Sequence, residues 1–136
     1  GLCGVGIPDT VEGRDFSKDL LVGGEPAVDA ALFLCAVPFG QWTRERGGRE
    51  SRGVRTHRYT YIRDLNGPWL LYDNEEDPLQ RFNLVKQAQH SRVAKELDDR
   101  LNDFLSQTHD EFASAEELIA RWDYKVDERL TVRYTN

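Results

Sequence analysis

The stretch that most constrains this chain runs Arg52-Gly-Val-Arg-Thr-His-Arg-Tyr-Thr-Tyr-Ile-Arg-Asp-Leu-Asn-Gly-Pro-Trp-Leu-Leu-Tyr-Asp73. Val54–Thr56, Tyr59–Ile62 and Trp69–Tyr72 are short runs rich in β-branched, aromatic and large apolar residues, separated by turn chemistry, so they predict three consecutive antiparallel strands. Asn66-Gly67 is the strongest local turn signal, because glycine and asparagine tolerate the positive φ angles of a tight hairpin. His57-Arg58 is expected to make the earlier reversal. A meander of this size cannot stand alone in water and needs an apolar cover on one face.

The cover is visible downstream. From Ser91 to Leu105, Val93, Leu97, Leu101, Phe104 and Leu105 recur at spacings of three and four and form one apolar stripe. Arg92/Glu96 and Glu96/Arg100 are exposed i,i+4 pairs on the other side. Ser114-Ala-Glu-Glu117 is a capping box that opens a second helix, with Leu118, Ile119 and Trp122 on its apolar side. Upstream, Ala31–Val37 predicts a fourth strand, buried on both faces and lying beside the meander. The fold class expected is therefore α+β: a small antiparallel sheet of about four strands covered on one face by an amphipathic C-terminal helix. Asp9–Asp19 is expected to be loop, Asp77-Pro78 to cap a helical turn over Leu79–Leu84 with Phe82 and Leu84 facing the sheet, and the strand-like tail Tyr124–Tyr134 to add to a sheet edge or to another chain.

At 136 residues with 31% charged and 39% hydrophobic residues, the chain suits one domain, and no apolar run approaches the ~20 residues of a bilayer-spanning helix. A net charge of −6 argues against general nucleic-acid binding, which needs a basic surface. Cys3 and Cys35 permit one disulfide but lack metal-ligand spacing, and are expected to behave as small buried hydrophobes. The chain contains no methionine, not even at its start, which suggests that an initiator was removed or that the chain was cut from something longer.

Motifs for chemistry are sparse. No G-x-S-x-G elbow or H-E-x-x-H is present, and His57, His90 and His109 are scattered. The carboxylates of Asp73-Asn-Glu-Glu-Asp-Pro78 lack the order of a calcium loop. Hence no catalytic or metal-ligating residue is assigned. Three residues remain as substrate-contact candidates. Trp42 stands in a loop with Arg44, Arg46, Arg49 and Arg52, where an aromatic ring beside guanidiniums could hold a sugar or an anionic ester. Arg55 lies in the first predicted strand and His57 in the predicted first turn, between Arg55 and Arg58, where its positive neighbours favour a neutral imidazole able to hydrogen-bond a ligand.

The run Gly53-Val-Arg-Thr56, Arg58-Tyr-Thr-Tyr-Ile62, Leu71-Tyr-Asp73, Asp77-Pro78 and Asn83-Leu84 resembles the C-terminal part of type I sulfatases, arylsulfatase-like enzymes of the alkaline phosphatase superfamily. Ile7-Pro-Asp-Thr-Val-Glu-Gly-Arg-Asp-Phe-Ser17, following Leu2-Cys-Gly4, is similar to a loop of the same family, so the resemblance covers residues 1 to about 105. Thr60 stands where those enzymes usually carry lysine, Asn74 where they carry leucine, and Gln80-Arg81 where an acidic residue is common. The family's nucleophile motif C/S-x-P-S-R is missing; Cys35-Ala-Val-Pro38 does not match it. So are its calcium ligands and its catalytic His and Lys.

The resemblance implies that residues 1–27 are the tail end of an upstream catalytic domain and a crossing loop, and 28–136 the C-terminal α+β subdomain. It implies a structural, substrate-selecting role in a sulfuric ester hydrolase, inactive alone, whose calcium and formylglycine belong to the upstream catalytic domain. The partners expected are that domain and a sulfated small molecule or glycan, with self-association through a sheet edge or the tail, and neither nucleic acid nor membrane. The alternatives are a free-standing binding or interaction protein derived from this domain and a carbohydrate-binding module built on Trp42.

Overall fold

In the computed structural model, which describes residues 1–11, 13–23, 28–38 and 42–128, a four-stranded antiparallel sheet runs in the order β1-β2-β3-β4. The strands are β1 (Ala30–Cys35), β2 (Ser51–Thr56), β3 (Tyr59–Asp64) and β4 (Gly67–Asp73); the helices are α1 (Ser17–Val22), α2 (Ser91–Gln107) and α3 (Ala115–Arg121).

Because side chains alternate across a strand, each row of register partners belongs to one face. Val54, Tyr61 and Leu71 stand side by side across β2, β3 and β4 and are fully buried. Helix α2 lays Leu97, Leu101 and Leu105 on this row, while Leu32, Val93, Leu84 and Phe104 pack around it. Burying those three leucines contributes about 6 kcal/mol before entropy costs. The Tyr61 hydroxyl reaches through the core and donates to Asp98 Oδ1 on α2 at 2.9 Å, so the one polar atom of the row is satisfied.

The His57-Arg58 reversal forms as expected: Tyr59 N–H donates to Thr56 Oγ1, and Arg58 reaches Asp73 Oδ2 at 2.9 and 3.0 Å. The second hairpin differs from expectation by one residue. Its loop is Leu65-Asn66, closed by Asn66 N–H on Asp64 Oδ1 at 2.8 Å, and Gly67 (φ 120°) pairs with Asp64. The aspartate side chain, not the Asn-Gly pair alone, sets the turn. The register then slips between Ile62 and Arg63, leaving Trp69 without a partner in the ladder, and Arg49 stacks on its ring at 4.8 Å.

Other expectations fail for identifiable reasons. β1 stops at Cys35 and is an edge strand; Ala31, Phe33 and Leu34 are exposed, so it is not buried on both faces. Residues 17–19, expected in a loop, open α1, where Asp15 Oδ1 accepts from Ser17 N–H at 2.9 Å. No helical turn forms over Leu79–Leu84. The Asp77 carboxylate accepts from Phe82 N–H at 2.7 Å, and Gln80 takes φ 52°, which breaks a helical path. Phe82 is consequently exposed, whereas Leu84 packs on the core. Both cysteines are free, and Cys3 is exposed where a buried position was expected. Residues 129–134 of the tail lie outside the described residues.

Candidate functional site

Arg55 and His57 lie together at the β2–β3 end of the sheet. Arg55 projects from the face opposite α2, is exposed, and donates from Nη1 to Thr60 Oγ1 at 3.3 Å across the ladder. His57, in the turn, shares with Arg55 an open depression of about 390 Å³ lined also by Phe16, Asp29, Ala31 and Thr56. Asp29, on the rim, is bonded by Arg100 of α2, and that bond holds its carboxyl below the usual carboxylate range.

Arg55 is propped from below. Thr60, almost fully buried, donates to Asn74 Oδ1 at 3.0 Å, and Gln80 Nε2 donates to both Thr60 Oγ1 and Asn74 Oδ1 at 3.0 and 2.8 Å. Three positions at which the sequence departs from the sulfatase pattern are thus one hydrogen-bonded cluster. The positive φ of Gln80 is what swings its amide onto Thr60 and Asn74.

Trp42 does not join them. It is 69% exposed, in the loop that leads into the Ser51 end of β2, while His57 follows the Thr56 end. Six residues of strand separate the two ends by roughly 17 Å. The loop is fixed by a close backbone approach: a Cβ on Gly48 would sit 1.7 Å from the Trp42 carbonyl oxygen.

Three of the four neighbouring arginines are held in ion pairs. Arg44 bonds Glu50 and Glu116 together, and Glu50 also accepts from Ala115 N–H at the start of α3. Arg49 pairs with Asp64 at 2.5 Å, and Arg52 is buried against Asp110. These charges fasten loops to the sheet. In the acidic loop, burial acts to raise the Asp73 carboxyl, but hydrogen bonds from Arg58 and from the Glu76 and Glu75 N–H groups outweigh it and hold it low. Among the described residues, no three His, Cys, Asp or Glu side chains are grouped to hold a metal ion.

Sequence patterning missed the Arg52–Asp110–Phe112 group. Phe112, at φ 47°, stacks over Arg52 at 4.7 Å and over Arg63 at 5.8 Å. Arg63 in turn bonds Asp98 at 3.1 Å. The only local signal was the placement of Arg52 two residues before Val54, on the same face of the strand.

Residues 1–107 match the family described as N-sulphoglucosamine sulphohydrolase, C-terminal. The chain is 35% identical over 128 residues to an "Ulvan-active sulfatase" of Formosa agariphila, a match covering 91% of this chain and 24% of that protein. It is 36% identical over 67 residues to a "Delta 4,5-hexuronate-2-O-sulfatase" of Bacteroides thetaiotaomicron, covering 49% of this chain and 14% of that one. The solved structure of a 2-O GAG sulfatase shares the fold with a TM-score of 0.62 at 21% identity, over 80% of this chain and 23% of the other. The chain thus spans a quarter or less of the length of these relatives.

Proposed function

The chain belongs to the N-sulphoglucosamine sulphohydrolase C-terminal family, and from that premise we propose that it is the C-terminal subdomain of a sulfatase-like sulfuric ester hydrolase, structural and substrate-selecting, and inactive on its own. The observation that carries this reading is the lopsided coverage: 91% of this chain aligns with only 24% of a sulfatase. Residues 1–27 are then the tail end of the catalytic domain and its crossing loop, and 28–136 the subdomain proper. The nucleophile, converted to formylglycine, and the calcium ligands belong to the catalytic domain; no residue group described here fits either, so no chemical step is assigned to this chain.

Its contribution to the substrate is binding. Arg55 is an exposed guanidinium with donors to spare, held by Thr60, and suits a sulfate or carboxylate of a sulfated polysaccharide. His57 adds a second hydrogen-bonding group in the same depression, and Trp42, at the other end of β2, a separate stacking surface for a sugar ring. The relatives named for ulvan and for a hexuronate favour an acidic polysaccharide as substrate class.

The test is a sulfatase assay with a chromogenic aryl sulfate and calcium, on this chain alone and on the full-length protein that carries it. Turnover is expected only for the full-length protein. Turnover above blank by this chain alone would overturn the proposal.

A further inference from the structure

The Thr60 hydroxyl, beneath Arg55, has its bonding capacity filled. It accepts from Arg55 Nη1 at 3.3 Å and from Gln80 Nε2 at 3.0 Å, and it donates to Asn74 Oδ1 at 3.0 Å. Gln80 Nε2 spends its second hydrogen on the same Asn74 oxygen, at 2.8 Å. Each member of the cluster thus has one role, and none of the three props under the guanidinium carries a charge.

The arrangement is held at some cost. Gln80 reaches the hydroxyl from φ 52°, a left-handed conformation uncommon for a residue with a side chain. Such conformations persist where their surroundings over-determine them, and they gather at ligand sites. Asn74 gives up a donor as well: its Nδ2 is buried with no hydrogen-bond partner, while its Oδ1 takes two bonds.

Neutrality sets Arg55 apart. Arg52, Arg58 and Arg63, on the strands and in the first turn, each pair with an aspartate, whereas among the described residues Arg55 has no carboxylate partner. The one carboxylate lining its depression among those residues, Asp29, is bonded by Arg100. Arg55 is exposed, so its charge is neither buried nor neutralised.

Resting on the reading of Arg55 as a substrate contact, we propose that Gln80 is its positioning residue and sets its preference for anions. The amide fixes the Thr60 hydroxyl and the hydroxyl fixes the guanidinium. Because no prop is charged, the arginine keeps its attraction for a sulfate or carboxylate of the substrate. A carboxylate at position 80 would undo this without breaking the cluster. It would accept from the Thr60 hydroxyl, and Asn74, turned about its amide, would give it the spare Nδ2 donor. Its charge, one hydroxyl away from Arg55, would compete with the ligand.

The experiment measures KM and kcat of the full-length protein on a sulfated polysaccharide. Gln80→Glu should raise KM roughly tenfold at unchanged kcat, the scale of one lost charge-assisted hydrogen bond. Gln89→Glu, the same change of charge at an exposed site, should leave both unchanged. In an Arg55→Ala background, Gln80→Glu should raise KM no further, because the two changes act through one group. Thr60→Ser, which keeps the hydroxyl, should retain the original KM, whereas Thr60→Val should raise it. A higher KM for Arg55→Ala with none for Gln80→Glu or Thr60→Val would overturn the positioning role and leave Arg55 a substrate contact. Additive losses in the double variant would overturn it equally, since Gln80 would then act by a route of its own. An unchanged KM for Arg55→Ala would instead sink the substrate reading of Arg55, and the positioning role with it.

Discussion

Arg52 grips both carboxylate oxygens of Asp110, Nε to Oδ2 at 2.5 Å and Nη2 to Oδ1 at 3.1 Å, across 58 residues of sequence. The bond joins β2 to the loop between α2 and α3, where His109 and Phe112 both take positive φ. Breaking a buried pair by removing one member strands the other charge, so Asp110→Ala should cost about 3 kcal/mol in urea unfolding. The double variant Arg52→Met with Asp110→Leu should recover part of that loss. A cost for Asp110→Ala below about 1 kcal/mol would mean that the pair behaves as an exposed one.

The same pair makes stability depend on acid. Burial pushes the Asp110 carboxyl up, but the Arg52 hydrogen bond and the Phe112 N–H outweigh it, and the group ends below its ordinary value. A depressed carboxylate stabilises the fold above its unfolded pKa of ~3.9, and that contribution is lost as pH falls through the lower folded value. Tyr61 has the opposite sign. Burial first, and then donation to Asp98, raise its phenol. Its contribution is complete below the unfolded pKa of ~10 and is lost as pH rises through the folded value. Absorbance of tyrosinate should therefore show one tyrosine ionising late, and Tyr61→Phe should abolish that late step.

Gly53 gives a sharper steric test. Valine at this position must displace the Phe33 ring, costing about 1–3 kcal/mol by overpacking. The paired change Gly53→Val with Phe33→Ala should restore much of the loss by thermal unfolding. Equal destabilisation in the single and double variants would show that the ring and the glycine are independent.

On the substrate side, Arg55→Ala in the full-length protein should raise KM for a sulfated polysaccharide roughly tenfold, the scale of one lost charge-assisted hydrogen bond. Hydrolysis of a small aryl sulfate should be little affected. Equal loss on both substrates would point to a structural role for Arg55.

The parts of this fold with a simple period were readable in advance. Leu97, Leu101 and Leu105 recur at helical spacing, and Ser114 with Glu117 forms the expected capping box at both of its bonds. Local chemistry also predicted the His57-Arg58 turn. What escaped was set by side chains acting at a distance. Gln80 turns to meet Thr60 twenty residues earlier, which abolishes the expected helical turn, and Arg52 is buried only because Asp110 comes to meet it. Of the candidate site, Arg55 and His57 converge because they stand two residues apart where β2 runs into one short turn. Trp42 does not, because strand length rather than loop composition fixes its distance from them.

One consequence concerns propagation of the sheet. On the outer side of β4, the Asn83 side chain accepts from Leu71 N–H and donates to the Trp69 carbonyl, Leu84 N–H takes the Leu71 carbonyl, and Asp77 N–H takes that of Asp73. Pro68 adds a position with no N–H to offer. That flank cannot template another strand without first being stripped of this backbone cover, so runaway edge-to-edge growth toward fibrils is barred from the β4 side. Any strand that extends this sheet must arrive at β1.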